Sequence, residues 1–196
     1  MNTIRLARPS DAISILDIYA PYVLNTSSTF ETEVPSNEAF AERITSYLRN
    51  WPWLVCEIDG IVAGYAYATH YRERSAYQWC AETSVYIHDG FQRRGIAGAL
   101  YAALFEILKY QECRNVYAVI NLPNDKSVAF HEKCGFTWFA DYKNVGYKLG
   151  QWKTVGWWQL QLNDYSDNPV TPLKFPLIDP AFLKSVFYEK SKMIKD

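Results

Sequence analysis

Gln92-Arg93-Arg94-Gly95-Ile96-Ala97-Gly98 stands where the apolar run 77–87 passes through the polar loop His88-Asp89-Gly90 into a helix predicted over residues 96–111. Ile96, Leu100, Leu104, Ile107 and Leu108 recur at helical spacing and share one face of that helix. A helix N-terminus carries about half a positive charge and several unpaired N–H groups, so a diphosphate can settle there if glycine lets the backbone come close. Arg93 and Arg94 add mobile positive charge. The same residues also read as a glycine turn with surface arginines, and neither GxGxxG nor GxxxxGK[ST] is present.

Outward from this stretch the chain alternates strands and helices. Downstream, Val116–Ile120 is uninterruptedly apolar, as a strand covered on both faces must be, and the run 77–87, helix and Val116–Ile120 make a βαβ unit. Asn124 or Asp125 caps a helix to Lys133, Gly135 ends it, and the runs 136–142 and 152–162 complete a sheet. Upstream, Ile4–Ala7 alternates as a strand, and Pro9-Ser10-Asp11 caps a helix with apolar positions Ile15, Leu16, Ile18 and Tyr19. A polar loop carrying Phe30 and Glu31 leads to a second helix, capped by Ser36, with Phe40, Ile44, Tyr47 and Leu48 on one face and Pro52 beyond its end. The runs 53–58 and 61–69 flank Asp59-Gly60, a type I′ hairpin signal because both turn residues need positive φ. Residues 1–163 read as the core domain. Residues 164–180 hold four prolines and read as a linker or surface strap, and Asp179-Pro180 then caps a helix carrying Leu183, Val186, Phe187 and Ile194.

Composition sets bounds on function. At 196 residues, 49% hydrophobic and 21% charged, the chain buries its own core without a disulfide or metal staple. A formal net charge of -1 argues against nucleic acid as a partner, which needs a concentrated positive field. Cys56, Cys80, Cys113 and Cys134 form no CxxC pair and no zinc spacing, so reduced thiols are expected and no metal. No apolar stretch reaches the ~18 residues of a membrane span and no signal-type run follows Met1, so a cytoplasmic location without membrane contact is expected.

Gln92, Gly95 and Ala97 resemble the Q/R-x-x-G-x-G/A pyrophosphate loop of the GNAT superfamily of N-acetyltransferases. Asn124, Ser127, His131, Gly135 and Phe136 are similar to a second family motif, with His131 at the usual tyrosine, and Arg5 to Asp11 resembles the family's opening strand and helix. The resemblance spans residues 3–162. Within it, Pro52–Val55, Glu82–Tyr86, Leu122–Asp125, His131-Glu132, Gly146–Lys148 and Gly156–Gln159 look like the phosphinothricin and methionine sulfoximine acetyltransferase branch. The implied fold is α+β, a mixed seven-stranded sheet splayed at its two central parallel strands and flanked by helices. The implied cosubstrate is acetyl-CoA, and the implied assembly is a homodimer.

The implied reaction moves the acetyl group of acetyl-CoA to the amine of a small amino acid analogue by direct attack on the thioester. Glu82, in the strand before the loop, is the expected general base, against the reading of a strand carboxylate paired with an arginine. The resemblance assigns the cofactor to Val85, Tyr86, Ile87, Gln92, Arg93, Arg94, Gly95, Ile96, Ala97, Gly98, Asn124, Ser127 and Phe130. His131 is expected either to protonate the departing thiolate or to hold the cofactor, although a lone helical His is more often structural. For a substrate carboxylate, Arg72 and Arg74 offer guanidinium forks, with solvated hairpin arginines as the competing reading. Phe30, Tyr77, Tyr147 and Lys148 complete the expected pocket. Two other functions fit the same motifs: acetylation of protein N-termini or lysines, and non-catalytic acyl-CoA sensing.

Overall fold

The computed structural model describes residues 2–195 in the order β1 (Asn2–Leu6), α1 (Ala12–Asn25), α2 (Asn37–Tyr47), β2 (Trp53–Ile58), β3 (Ile61–His70), β4 (Cys80–Ile87), α3 (Ile96–Tyr110), β5 (Asn115–Leu122), α4 (Asp125–Lys133), β6 (Thr137–Lys148), β7 (Gln151–Gln161) and α5 (Pro180–Ser191). The strands form one mixed sheet in the order β1-β2-β3-β4-β5-β7-β6, parallel only between β4 and β5. This is the seven-stranded α+β arrangement the motifs imply.

Local chemistry sets most of the joints. Asp59 and Gly60 both adopt left-handed backbone, φ 49° and 84°, and close the β2–β3 hairpin. Ser36 Oγ accepts from Ala39 N to start α2, Asn124 Oδ1 accepts from Ser127 N to start α4, and Asp179 Oδ1 accepts from Ala181 N to start α5. Each satisfies an N–H that the helix itself leaves unpaired.

The sheet has two covered faces. On one, α1 and α2 enclose Ile15, Tyr19, Phe40, Ile44, Trp53 and Tyr65. On the other, α3 buries Leu100, Leu104, Ile107 and Leu108 completely, each worth roughly 1.5–3 kcal/mol relative to exposure. Phe175, Ile178, Val186 and Ile194 join this second cluster from beyond residue 163, and α5 lies against α3 and β1. Gln111 fastens the intervening segment by donating to the Asn50 and Leu173 carbonyls, and Trp79 Nε1 does so by donating to Val170 O. All four cysteines are unpaired, and among the described residues no helix is long and apolar enough to cross a membrane.

Two strand limits differ from expectation by three residues or more. β4 begins at Cys80 because Ser75–Tyr77 form a 3₁₀ turn closed by Tyr77 N to Arg74 O. β6 runs to Lys148, past the expected end at 142, and turns into β7 through Leu149 and Gly150, both left-handed.

Candidate active site

Beyond β4, His88 Nδ1 accepts from Gly90 N and the Gln92 side chain donates to Asp89, which fixes a short turn. Arg93 then takes φ 66° and Gly95 φ 80°, and α3 starts at Ile96 with no side chain capping it. No side chain therefore caps the N–H groups of the first turn of this helix. Nothing lies within 4 Å of the position a Gly98 Cβ would take, so the approach is open. Arg93 is exposed and Arg94 rests over the Phe91 ring, while the Ile96 side chain is buried in the core, which leaves only its main chain to meet a ligand. Ala97 is half-buried beside it.

The sheet opens directly upstream. β4 and β5 pair only at Cys80–Asn115, Ala81–Val116 and Glu82–Tyr117, and the Thr83 hydroxyl reaches Tyr117 O at 3.4 Å as the last link. Past this point Ser84–Ile87 stay paired with β3 while β5 follows β7. A wedge results, with the edge of Val85, Tyr86 and Ile87 that faces β5 left without a strand partner. Their side chains are half-buried, and Tyr86 packs against Tyr65, Tyr19 and Tyr22.

Glu82 sits at the base of this wedge. Burial pushes its carboxyl above the ordinary glutamate range, and the positive charge of Arg72 partly opposes the shift. On the same face of the sheet, Tyr117, the β5 partner of Glu82, stacks on Tyr71 at 4.3 Å, and Tyr71 meets Tyr77 and Trp157 edge-on. Arg72 and Arg74 are both exposed, and Arg72 leans over Tyr71. Tyr71, Tyr117 and Trp157 escaped the sequence reading because they come from three strands or loops that only the fold unites.

The loop after α1 crosses this face. Asn121 Nδ2 donates to Ser27 Oγ, Tyr19 and Thr29 share a hydroxyl contact at 2.7 Å, and Lys148 Nζ donates to Thr29 O at 2.7 Å. The Phe30 ring fills the space a Gly146 side chain would need and so lies against β6. Lys148 is 5% exposed, and burial lowers its pKa. Tyr147 is a correction. Alternation along β6 sends it to the opposite face from Gly146 and Lys148, where it is 61% exposed and packs on Trp152. The cleft position belongs to its neighbour Lys148.

On the other side of the wedge, His131 is 6% exposed. Its Nδ1 lies 2.8 Å from Ser127 O, which can only accept, so Nδ1 carries the proton and Nε2 accepts from the Tyr101 hydroxyl at 3.1 Å. Burial lowers the pKa of the ring and favours this neutral form. A direct donor role for His131 does not fit, since its one N–H is spent on a backbone carbonyl. What it holds is Tyr101, whose hydroxyl also neighbours Thr83 at the wedge base. Phe130 packs on Tyr101, Ser127 supports His131 through its carbonyl and hydroxyl, and the Asn124 side chain is engaged as the α4 cap. Tyr101 was also missed, because its partner is thirty residues away in sequence.

The sequence and the fold both match known proteins. Residues 4–157 match the acetyltransferase (GNAT) domain. The chain is 38% identical to phosphinothricin N-acetyltransferase of Streptomyces viridochromogenes over 80% of its length and 85% of that protein. It is 31% identical to an L-methionine sulfoximine/L-methionine sulfone acetyltransferase of Salmonella typhimurium over 84% of its length and 96% of that protein. The crystal structure of a phosphinothricin acetyltransferase from Sinorhizobium meliloti in complex with acetyl-CoA superposes with a TM-score of 0.81 at 30% identity, covering 89% of this chain and 98% of that one. With its opened β4–β5 pair and these matches over most of its length, the chain belongs to the GNAT acetyltransferase family.

Proposed function

We propose that this protein is an acetyl-CoA-dependent N-acetyltransferase whose acceptor is the amino group of a small amino acid analogue of the phosphinothricin, methionine sulfoximine or methionine sulfone kind. The observation that carries the reading is Glu82 at the base of the wedge, a half-buried carboxyl with a raised pKa on the last β4–β5 pair. Such a group is tuned toward neutrality and suited to take a proton from an ammonium.

The residues fit the cosubstrate. The uncapped start of α3 and the open Gly98 suit a diphosphate, and the edge of Val85, Tyr86 and Ile87 that no strand pairs suits the amides of a pantetheine arm, with the Ile87 carbonyl held by the Tyr22 hydroxyl at 3.0 Å. Acetyl-CoA supplies the acetyl group as a thioester. Glu82 removes the ammonium proton, directly or through water, and so frees the lone pair for attack. A main-chain N–H on the free edge of β4 stabilises the oxygen on which charge develops. The departing sulfur takes its proton from water, since the one Tyr101 O–H is given to His131 Nε2 in a buried pair that braces the wall of the wedge. His131 is thus a positioning residue. Arg72 and Lys148 bring positive charge to the acceptor side, where an amino acid presents its carboxylate.

We also read the exposed β6–β7 hairpin, with Trp138, Phe139, Val145, Tyr147 and Trp152 open, as the contact between two copies, and the cytoplasm, which holds acetyl-CoA, as the compartment. The test of function is a panel of amino acid analogues, peptides and polyamines scored by release of free CoA. Turnover of the sulfoximine, sulfone and phosphinothricin supports the reading. Preferred turnover of peptides or polyamines overturns the substrate class, and acetyl-CoA binding without any turnover overturns the enzyme.

A further inference from the structure

The C-terminal segment reaches back to the loop that begins α3. Lys195 N donates to Arg94 O at 2.8 Å, across about a hundred residues of chain. Met193 O lies 3.0 Å from where a Gly95 Cβ would stand, so a side chain there would press on the segment as well as strain a backbone at φ 80°. Both contacts fall on one short piece of loop. Arg94 stands between Arg93 and Gly95, and these two hold left-handed backbone. For Arg93 that conformation is disfavoured on its own and persists only where its surroundings enforce it.

The segment is firmly based. Ile194 is 7% exposed within the core cluster, Ser191 Oγ accepts from Ile4 N, Lys190 pairs with Glu106 on α3, and Phe182 stacks on Tyr110 at 4.4 Å. It also lies beyond residue 157, where the family match ends.

We propose that residues 193–195 are a positioning segment for acetyl-CoA: by bonding the Arg94 carbonyl and lying against Gly95 they hold the loop in the form that presents the first-turn N–H groups of α3. The inference rests on the reading of this loop as the diphosphate site. Without the bond the loop spends part of its time in right-handed conformations, and the apparent dissociation constant rises as the competent fraction falls. The Lys195 side chain takes no part, since the donor is the main chain.

The test compares Lys195→Pro, which removes the N–H, with Lys195→Ala, which keeps it, and with a chain ending at Ile194, which lacks the donor but retains the buried Ile194. Acetyl-CoA affinity is measured by calorimetry, KM for the amine and kcat at saturating acetyl-CoA by CoA release, and Tm without cosubstrate. Lys195→Pro and the shortened chain are expected to raise the acetyl-CoA Kd by ~3- to 10-fold, the scale of one net hydrogen bond, with amine KM and kcat within about twofold. Lys195→Ala should match the parent. Unchanged affinity in Lys195→Pro overturns the proposal, as does an equal loss in Lys195→Ala, or a rise in both KM values accompanied by a large fall in Tm. Gly95→Val separates the two readings: if it retains full acetyl-CoA affinity the diphosphate site itself is wrong and the brace falls with it. If it loses affinity while Lys195→Pro does not, only the brace is wrong.

Discussion

Glu82 and Tyr117 face one another on the last pair joining β4 to β5, and one residue further the two strands part. Tyr71 stacks on Tyr117 beside this pair, and burial of the Glu82 carboxyl raises its pKa. Glu82→Gln keeps the shape and removes the base. It should lower kcat by ~10²–10⁴-fold with acetyl-CoA affinity retained. Stability should move the other way. A carboxyl whose folded pKa is raised contributes stability below its unfolded pKa and loses it as pH rises through the folded value, so ionisation above that value costs the native state. Glu82→Gln should therefore melt higher than the parent at pH 8, and the gap should close toward pH 4. Full activity, or a lower melting temperature at pH 8, would remove Glu82 from this role.

Arg72 opposes the burial of Glu82 by its charge. Arg72→Ala leaves burial alone, which raises the carboxyl further. Because the base works when ionised, the acidic limb of kcat/KM should shift to higher pH in this variant. Arg74→Ala, at a side chain whose charge is not among those acting on Glu82, should leave the limb in place. An unmoved limb in Arg72→Ala would show that the titrating group is not Glu82.

The stretch from β4 through Gly95 into α3 is legible because its chemistry is local: a polar turn, a glycine and an amphipathic helix follow one another along the chain. The second half of β6 is not. Its side chains from Asp141 to Val145 are exposed, the register with β7 shifts twice, and its turn uses Leu149 in left-handed backbone rather than an Asn-Gly or Asp-Gly pair. The same limit explains Tyr147, where alternation decides orientation and only the true register reveals it. His131 was legible as a residue of interest, but its partner Tyr101 was not, since no spacing rule links α3 to α4.

Asp11 receives Arg5 by two hydrogen bonds, at 2.8 and 2.9 Å, and a third from Arg8 N at 2.7 Å. Burial alone would raise its pKa, but these bonds outweigh it and the net shift is downward. A lowered carboxylate contributes stability above its unfolded pKa and loses it as pH falls through the folded one. Asp11→Asn should cost about 2–4 kcal/mol at pH 7, and the difference should shrink below pH 4. Denaturant melts at pH 7 and pH 3.5 check both points, and a gap that stays constant with pH would refute the linkage.

Lys148 holds the loop after α1 through Thr29 O while facing the acceptor side of the cleft. Lys148→Met preserves the stem and removes the charge and its hydrogen bonds. KM for the amino acid should rise by ~10-fold or more, the scale of a charge-assisted contact, and KM for acetyl-CoA should hold. An effect confined to acetyl-CoA would move Lys148 to the other side of the wedge.

A free α-carboxylate should be required of the acceptor. Guanidinium and ammonium groups placed to grip a carboxylate are left without their partner when an amide replaces it, at a cost of a few kcal/mol. Both arginines before β4 are exposed, but Arg72 is the one whose charge is felt at Glu82 and whose guanidinium leans on Tyr71. The two variants should therefore differ. Arg72→Ala should raise KM for methionine sulfone and narrow the preference for the acid over its carboxamide by ~10-fold or more, because the lost contact is mainly ground-state binding. Arg74→Ala should keep most of that preference. The measurement is kcat/KM for methionine sulfone and methionine sulfone amide in the parent and both variants, at a pH well above the acidic limb so that the titration of Glu82 does not enter. If Arg74→Ala erased the preference and Arg72→Ala left it whole, the carboxylate would sit at the mouth of the cleft, and if neither variant changed it, Lys148 alone would carry recognition.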